Sequence, residues 1–418
     1  SRPRKTMKLR QRAPVGRKSM PSAATSSPLI NTSPSTREHS INTQVMLLAG
    51  PALASGALMP LDEMVQAALA GRLAGTTALA ALGVCSSVFM LILKLFTFLD
   101  TQTTSRVAAA NSSHVSQVLA NAIFTAMVVG GAIALGMQFG STWLLSWLQT
   151  KPALLPACLP YLHLRALAAP LELVQMAAQG ALRGCRDMVT PALANVFSFV
   201  LSNFVGFVLM HHFQLGLYGL AYGRLAASAL SCVLLLHRLI VTKRLLWWHV
   251  CTPPPLATLK DYVRSASALF ARSFLVKVFF TAVAVKAGTF GTAIAAAHVI
   301  ARQTASLFSI TLDALAVAAQ ALIATHLGRD PRLVMIVGKC AHRAALVVAA
   351  VMALILHLFT SQFVSFFTTD DAVHDALGSL MPFFCALQPI AAPAYIFDGI
   401  FLGASDFDYM ARAMGIAV

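Results

Sequence analysis

Long uncharged stretches alternate with short charged ones along almost the whole chain. No Asp, Glu, Lys or Arg occurs from Val107 to Thr150 or from Ala344 to Thr369, and Met188 to Leu236 holds only Arg224. The runs lack the period-two alternation of a barrel strand, and each reaches the length of about 20 apolar residues that carries a helix across a bilayer. The pattern predicts ten helices, at about 42–66, 77–104, 115–148, 153–182, 189–210, 215–237, 262–285, 290–325, 335–367 and 376–403. An eleventh begins near Tyr409. The expected fold is all-α and polytopic.

The same text is written twice. Pro170, Gln179-Gly180, Gly184 and Asp187 recur 219 positions later as Pro389, Asp398-Gly399, Gly403 and Asp406. At an offset of 215, Thr77-Ala78-Leu79-Ala80-Ala81 reappears as Thr292-Ala293-Ile294-Ala295-Ala296, and Thr104 to Val107 as Ala319 to Leu322. The copies begin six helices apart, so they run in the same direction and are related by an axis along the membrane normal. Two homologous six-helix bundles are expected, the second incomplete: residues 44–240 and 262–418, with a connecting loop at 241–261. Duplicated bundles serve alternating access, in which two similar bodies rock around a shared site.

Composition agrees: 57% of residues are hydrophobic and 11% charged, with mean hydropathy +0.73, against about 25% charged in soluble domains. The net charge of +16 is placed by side, which argues for membrane topology and against nucleic acid. Arg106, Arg183, Arg186, Arg238, Lys243, Arg244, Lys260, Arg264, Arg329, Arg332, Lys339 and Arg343 fall on one side. The opposite loops hold Arg72, Lys151 and Lys286 with Asp370, Asp371 and Asp375. Positive charge marks the cytosolic (or stromal or matrix) side. Residues 1–43 are rich in Arg and Ser with Glu38 as their one acid, which fits an organellar transit segment or a disordered basic tail on anionic lipid. The seven cysteines lack CxxC spacing and read as packing residues.

Several separated motifs carry a family resemblance. Pro51-Ala52-Leu53, Pro60-Leu61 and Gly71-Arg72-Leu73, with Ala80-Ala81-Leu82-Gly83-Val84, look like the first helix pair of the multidrug and toxic compound extrusion (MATE) family. Gln179-Gly180-Ala181-Leu182-Arg183-Gly184 with Thr190-Pro191 resembles its helix four. Thr311-Leu312-Asp313-Ala314-Leu315 and Gln320-Ala321-Leu322-Ile323-Ala324 resemble its helix eight, and Phe397-Asp398-Gly399 its helix ten in the branch with plant plastid members. The resemblance covers about residues 44–418. It implies a monomeric exporter of a small organic solute, driven by inward H⁺ or Na⁺ flow and needing no bound cofactor, in a multi-pass membrane setting that includes plastid envelopes.

A coupled carrier needs a carboxylate whose charge a proton or cation removes inside the membrane. Asp398 fits the family's coupling acid in helix ten, or else it ties that helix to a neighbour. Asp313 is either a transport group or the partner of Lys277 or Arg302; the alternative for those two cations is to face an anionic solute. In helix one, the family's acids fall at Met59 and Gln66 here, while Asp62 and Glu63 lie on the same helical face one turn away. Asn203 stands near an acid position of helix five. This departure makes the second bundle the favoured place for coupling. Gln66, Glu172, Gln175, Gln179 and Gln320 are cavity candidates, or interhelical ties. No HExxH or GxSxG motif points to an enzyme. The alternative transport reading is a lipid or amphiphile flippase, which would want a strongly cationic cavity that Lys94, Arg272 and Lys277 suggest only faintly.

Overall fold

The computed structural model describes residues 34–111, 114–147, 150, 152–246, 292–327, 330–367, 371–407, 409–410 and 412–413, with scattered residues between 260 and 290. All regular structure among them is helical. The helices are α1 (Pro34–Leu73), α2 (Gly75–Leu95), α3 (Phe98–Ala109), α4 (Val115–Trp147), α5 (Leu155–Ala166), α6 (Ala169–Gly184), α7 (Val189–His211), α8 (Leu217–Val241), α9 (Thr292–His326), α10 (Pro331–Leu358), α11 (Thr360–Phe367) and α12 (Asp371–Gly403). Seven of them (α1, α4, α7, α8, α9, α10 and α12) are long and apolar enough to cross a membrane.

The second and fourth expected spans are each broken in two. Phe96 and Thr97 separate α2 from α3, and Leu167 and Ala168 separate α5 from α6. At the second break Pro170 supplies the reason: it donates no N–H and its ring crowds the carbonyl of Ala166, so a new helix must start there. Half of the seventh expected span lies outside the described residues.

Helices α3, α4, α6 and α8 pack around Leu99, Leu119, Leu173, Leu182, Leu235 and Leu239 to form the core of a first bundle. Helices α9, α10 and α12 form a second around Leu312, Leu322, Val337, Ala345 and Ile396. Helix α1 belongs to both. It begins at Pro34, ten residues earlier than the expected limit of the basic tail, because Ile41, Val45 and Ala49 make an apolar stripe that is buried in the second core. Its 40 residues span about 60 Å, twice the ~30 Å hydrocarbon thickness. Residues 1–33 and most of the 241–261 connection lie outside the described residues.

The sequence repeat reappears as backbone geometry. A Cβ on Gly180 would lie 2.3 Å from the Asp100 carbonyl oxygen, and one on Gly399 would lie 2.4 Å from that of Ala316. Gly184 meets the Thr104 carbonyl in the same manner, and Gly403 that of Gln320. Helix α6 therefore lies against α3 as α12 lies against α9. The equivalence runs from Asp100 to Ala316 and from Thr104 to Gln320, one residue beyond the offset of 215 expected from sequence. After each glycine helix the chain turns identically. Arg186 and Ser405 take positive φ (63° and 58°), and the amides of Asp187 and Asp406 return to the carbonyls of Leu182 and Phe401 at 2.9 and 3.1 Å, a Schellman-type closure. Each aspartate then accepts from a backbone amide three residues on: Thr190 at 3.0 Å and Tyr409 at 3.3 Å.

Candidate functional site

Among the described residues, a dense polar cluster lies inside the first bundle, between α1, α5, α6, α7 and α8. Asp62 on α1 is 5% exposed. Its Oδ1 accepts from Asn203 Nδ2 of α7 at 2.7 Å, and its Oδ2 accepts from Gln66 Nε2 at 2.8 Å and is paired with Arg224 Nη1 of α8. The one-turn spacing of Asp62 and Gln66 is what lets them meet.

Glu172 on α6, 6% exposed, is the second acid. Its Oε1 accepts from Arg165 Nη1 at 2.6 Å, from Ser228 Oγ at 3.3 Å and from Arg224 Nε at 3.4 Å. Arg165 also lies over the Phe89 ring, 4.7 Å from its centroid. Arg224 thus bridges two carboxylates on different helices, and the cluster holds two acids and two guanidiniums in contact. Glu172 Oε2 and Asn203 Oδ1 are buried and accept no hydrogen bond from the described residues.

A cavity of about 340 Å³ opens beside this cluster, lined by Ser55, Asp62, Glu172, Gln175, Gln179, Asn195 and Arg224 among others. Asn195 organises its far wall, accepting from Gln179 at 2.9 Å and Gln175 at 3.3 Å and donating to Ser55 Oγ at 2.6 Å. A narrower pocket of about 50 Å³ shares Met59, Asp62, Leu93 and Arg224 and adds Glu63, Gln66 and Tyr161. A third cavity, about 870 Å³, lies in the second bundle. It is wide, open and mostly apolar, with Phe279, Phe290, Phe383 and Leu380 beside His298 and Lys286.

The structure therefore gathers six of the expected site residues (Asp62, Gln66, Glu172, Gln175, Gln179 and Asn203) and places exposed Glu63 at their edge. Gln320 is not among them. Its Nε2 reaches across to the Thr101 carbonyl and to Ser105 Oγ, at 2.9 and 3.0 Å, and ties the two bundles together. Asp398, half-buried on α12, and Asp313, exposed on α9 with Ser309 Oγ at 3.4 Å, line none of the three cavities, nor does exposed Arg302. Lys277 lies outside the described residues. Arg165, Arg224 and Asn195 were not singled out by the sequence as site residues. Only Arg224 carried a signal, as the one charge in a 49-residue apolar run.

The model of the MatE family matches residues 51–208 and 268–418. The chain belongs to the MATE family. It is a multi-pass membrane transporter of that family, and the flippase alternative finds no support in its site, where arginines and acids balance. Protein DETOXIFICATION 44, chloroplastic, of Arabidopsis thaliana is 31% identical over 394 residues, covering 90% of this chain and 74% of that one. Protein DETOXIFICATION 45, chloroplastic, of the same plant is 30% identical over 403 residues, covering 90% and 71%. The crystal structure of a Vibrio cholerae MATE transporter in the bent form superposes with a TM-score of 0.84 at 16% identity, over 91% of this chain and 88% of that one.

Proposed function

We propose that this transporter exports a small organic solute in exchange for inward-moving H⁺ or Na⁺, with Asp62 as the acid that gains and loses its counter-charge. The observation that carries this reading is the buried carboxylate of Asp62, held by residues of α1, α7 and α8 on the wall of a 340 Å³ cavity. Its hydrogen bonds and ion pair join three helices, so occupancy of this carboxylate by a proton or cation would loosen all three at once. The amide-rich wall around Asn195 suits a neutral or weakly charged solute better than a fixed ion. The names of the two plant relatives and the acid-poor basic segment before residue 34 support a plastid envelope location. A monomer surrounded by lipid suffices for this mechanism.

The test is transport by the purified full-length protein in proteoliposomes, with pH and Na⁺ gradients imposed separately. A panel of fluorescent organic cations and radiolabelled organic acids serves as solutes. Gradient-driven uptake is expected for the native protein and its loss for Asp62→Asn. Asp398→Asn, run alongside, reports on the second bundle. Transport that survives in Asp62→Asn while collapsing in Asp398→Asn would move coupling to α12.

A further inference from the structure

We propose that Arg224 is the residue that decides which ion the first bundle accepts, its guanidinium standing where a metal cation would sit on Asp62, so that the site takes protons and excludes Na⁺. This rests on the transport reading above and narrows it. Among the described residues, every hydrogen bond or ion pair to Asp62 comes through an N–H: Asn203 Nδ2, Gln66 Nε2 and Arg224 Nη1. A hard cation needs several oxygen ligands pointing inward, and here the carboxylate is enclosed by donors. The charges agree. Facing Asp62 are Arg224 from α8, Glu172 from α6, Arg165 and Tyr161 from α5, and Glu63 on its own helix. Helices α2 and α7 contribute Ser86, Phe89 and Asn203, none of them charged. The buried acids are already matched by guanidiniums, so a sodium ion would enter beside a fixed positive charge in a medium that screens it poorly.

A proton meets neither obstacle. It bonds to Asp62 Oδ2 as the hydrogen bond from Arg224 Nη1 breaks, and it needs no coordination shell. Arg224 keeps its charge and has somewhere to go. Its Nε already contacts Glu172 Oε1 at 3.4 Å, and Glu172 Oε2 is buried with no hydrogen bond from the described residues. Protonation of Asp62 thus hands the guanidinium from α1 to α6 and frees α1 from α8.

The experiment is equilibrium binding of ²²Na⁺ to the purified full-length protein in detergent, with choline as the control cation. The native protein is expected to show no saturable binding. Arg224→Gln is expected to acquire it, with affinity higher by on the order of a hundredfold. Arg224→Lys should behave as native, and the Arg224→Gln/Asp62→Asn pair should bind none. Saturable binding by the native protein that vanishes in Asp62→Asn overturns the proposal, as does a monodisperse Arg224→Gln that binds no sodium. Should Arg224→Gln not fold, proton uptake after an acid pulse, taken as native minus Asp62→Asn, decides the matter. Equal uptake in NaCl and choline chloride is expected, and displacement of protons by Na⁺ overturns the proposal. The ²²Na⁺ pattern as expected, with no solute transport under any gradient, would sink the transport reading alone.

Discussion

At the scale of single residues, the most consequential feature is the sharing of Glu172 Oε1 between Arg165, Arg224 and Ser228. A buried ion pair adds little beyond what well-packed apolar residues would give, yet breaking it by removing one partner costs about 3–5 kcal/mol, since the other charge stays buried and unmatched. Glu172→Gln is therefore expected to lower the thermal midpoint sharply, and Arg165→Met/Glu172→Met to recover most of the loss. Melting followed by fluorescence-detected size exclusion checks this, and equal melting of the single and double variants would refute it. Helical spacing was enough to place Asp62 and Gln66 on one face. It could not show that Arg224, 162 positions from Asp62 and 52 from Glu172, would neutralise both. Charge balance is a property of the assembled bundle, and without it Asp62 could not be weighed against Asp398.

At the scale of helices, small residues set how closely the elements approach. The glycines of α6 and α12 bring backbone against backbone of α3 and α9, and an added methyl has no flexible side chain to push aside. Gly180→Ala and Gly399→Ala are each expected to destabilise by about 1–3 kcal/mol, as overpacking of a filled interior does. Gly83→Ala, whose new Cβ would meet nothing within 4 Å, serves as the control. Thermal midpoints of the three variants test the claim, and it fails if all three melt with the native protein. The glycine motif was readable from sequence because identical letters recurred at a fixed offset. The partner helices were readable only to within one residue. The short matches at 77–81 and 104–107 gave an offset of 215, and the close carbonyl contacts set the register one residue further on.

At the scale of the whole molecule, contact between the bundles is concentrated at the end that carries Arg106 and Arg186. Ser105 Oγ donates to the Leu402 carbonyl at 2.6 Å, Gln320 reaches Thr101 and Ser105, and Arg186 Nη2 lies 3.2 Å from His326 Nε2. These bonds hold that end shut, while the polar cavity lies further along the first bundle. Under the proposed exchange, two bundles that pivot about a central site must part here before a solute can pass to this side. The Ser105–Leu402 contact is the natural place to lock them. In a background with Cys85, Cys158, Cys185, Cys232, Cys251, Cys340 and Cys385 replaced by Ala, Ser105→Cys/Leu402→Cys joined by a short bifunctional crosslinker is expected to abolish gradient-driven solute transport, and a cleavable linker to restore it on reduction. Either cysteine alone, treated identically, should transport as the background does. The same crosslink should leave solute access from the opposite side intact, measured as binding to protein whose other face is presented to solution. Undiminished transport across a crosslinked pair would mean that the bundles do not separate at this end. The cavity's second exit would then have to be sought along α1, the helix whose first half is buried in the second core and whose second half lines the polar cavity.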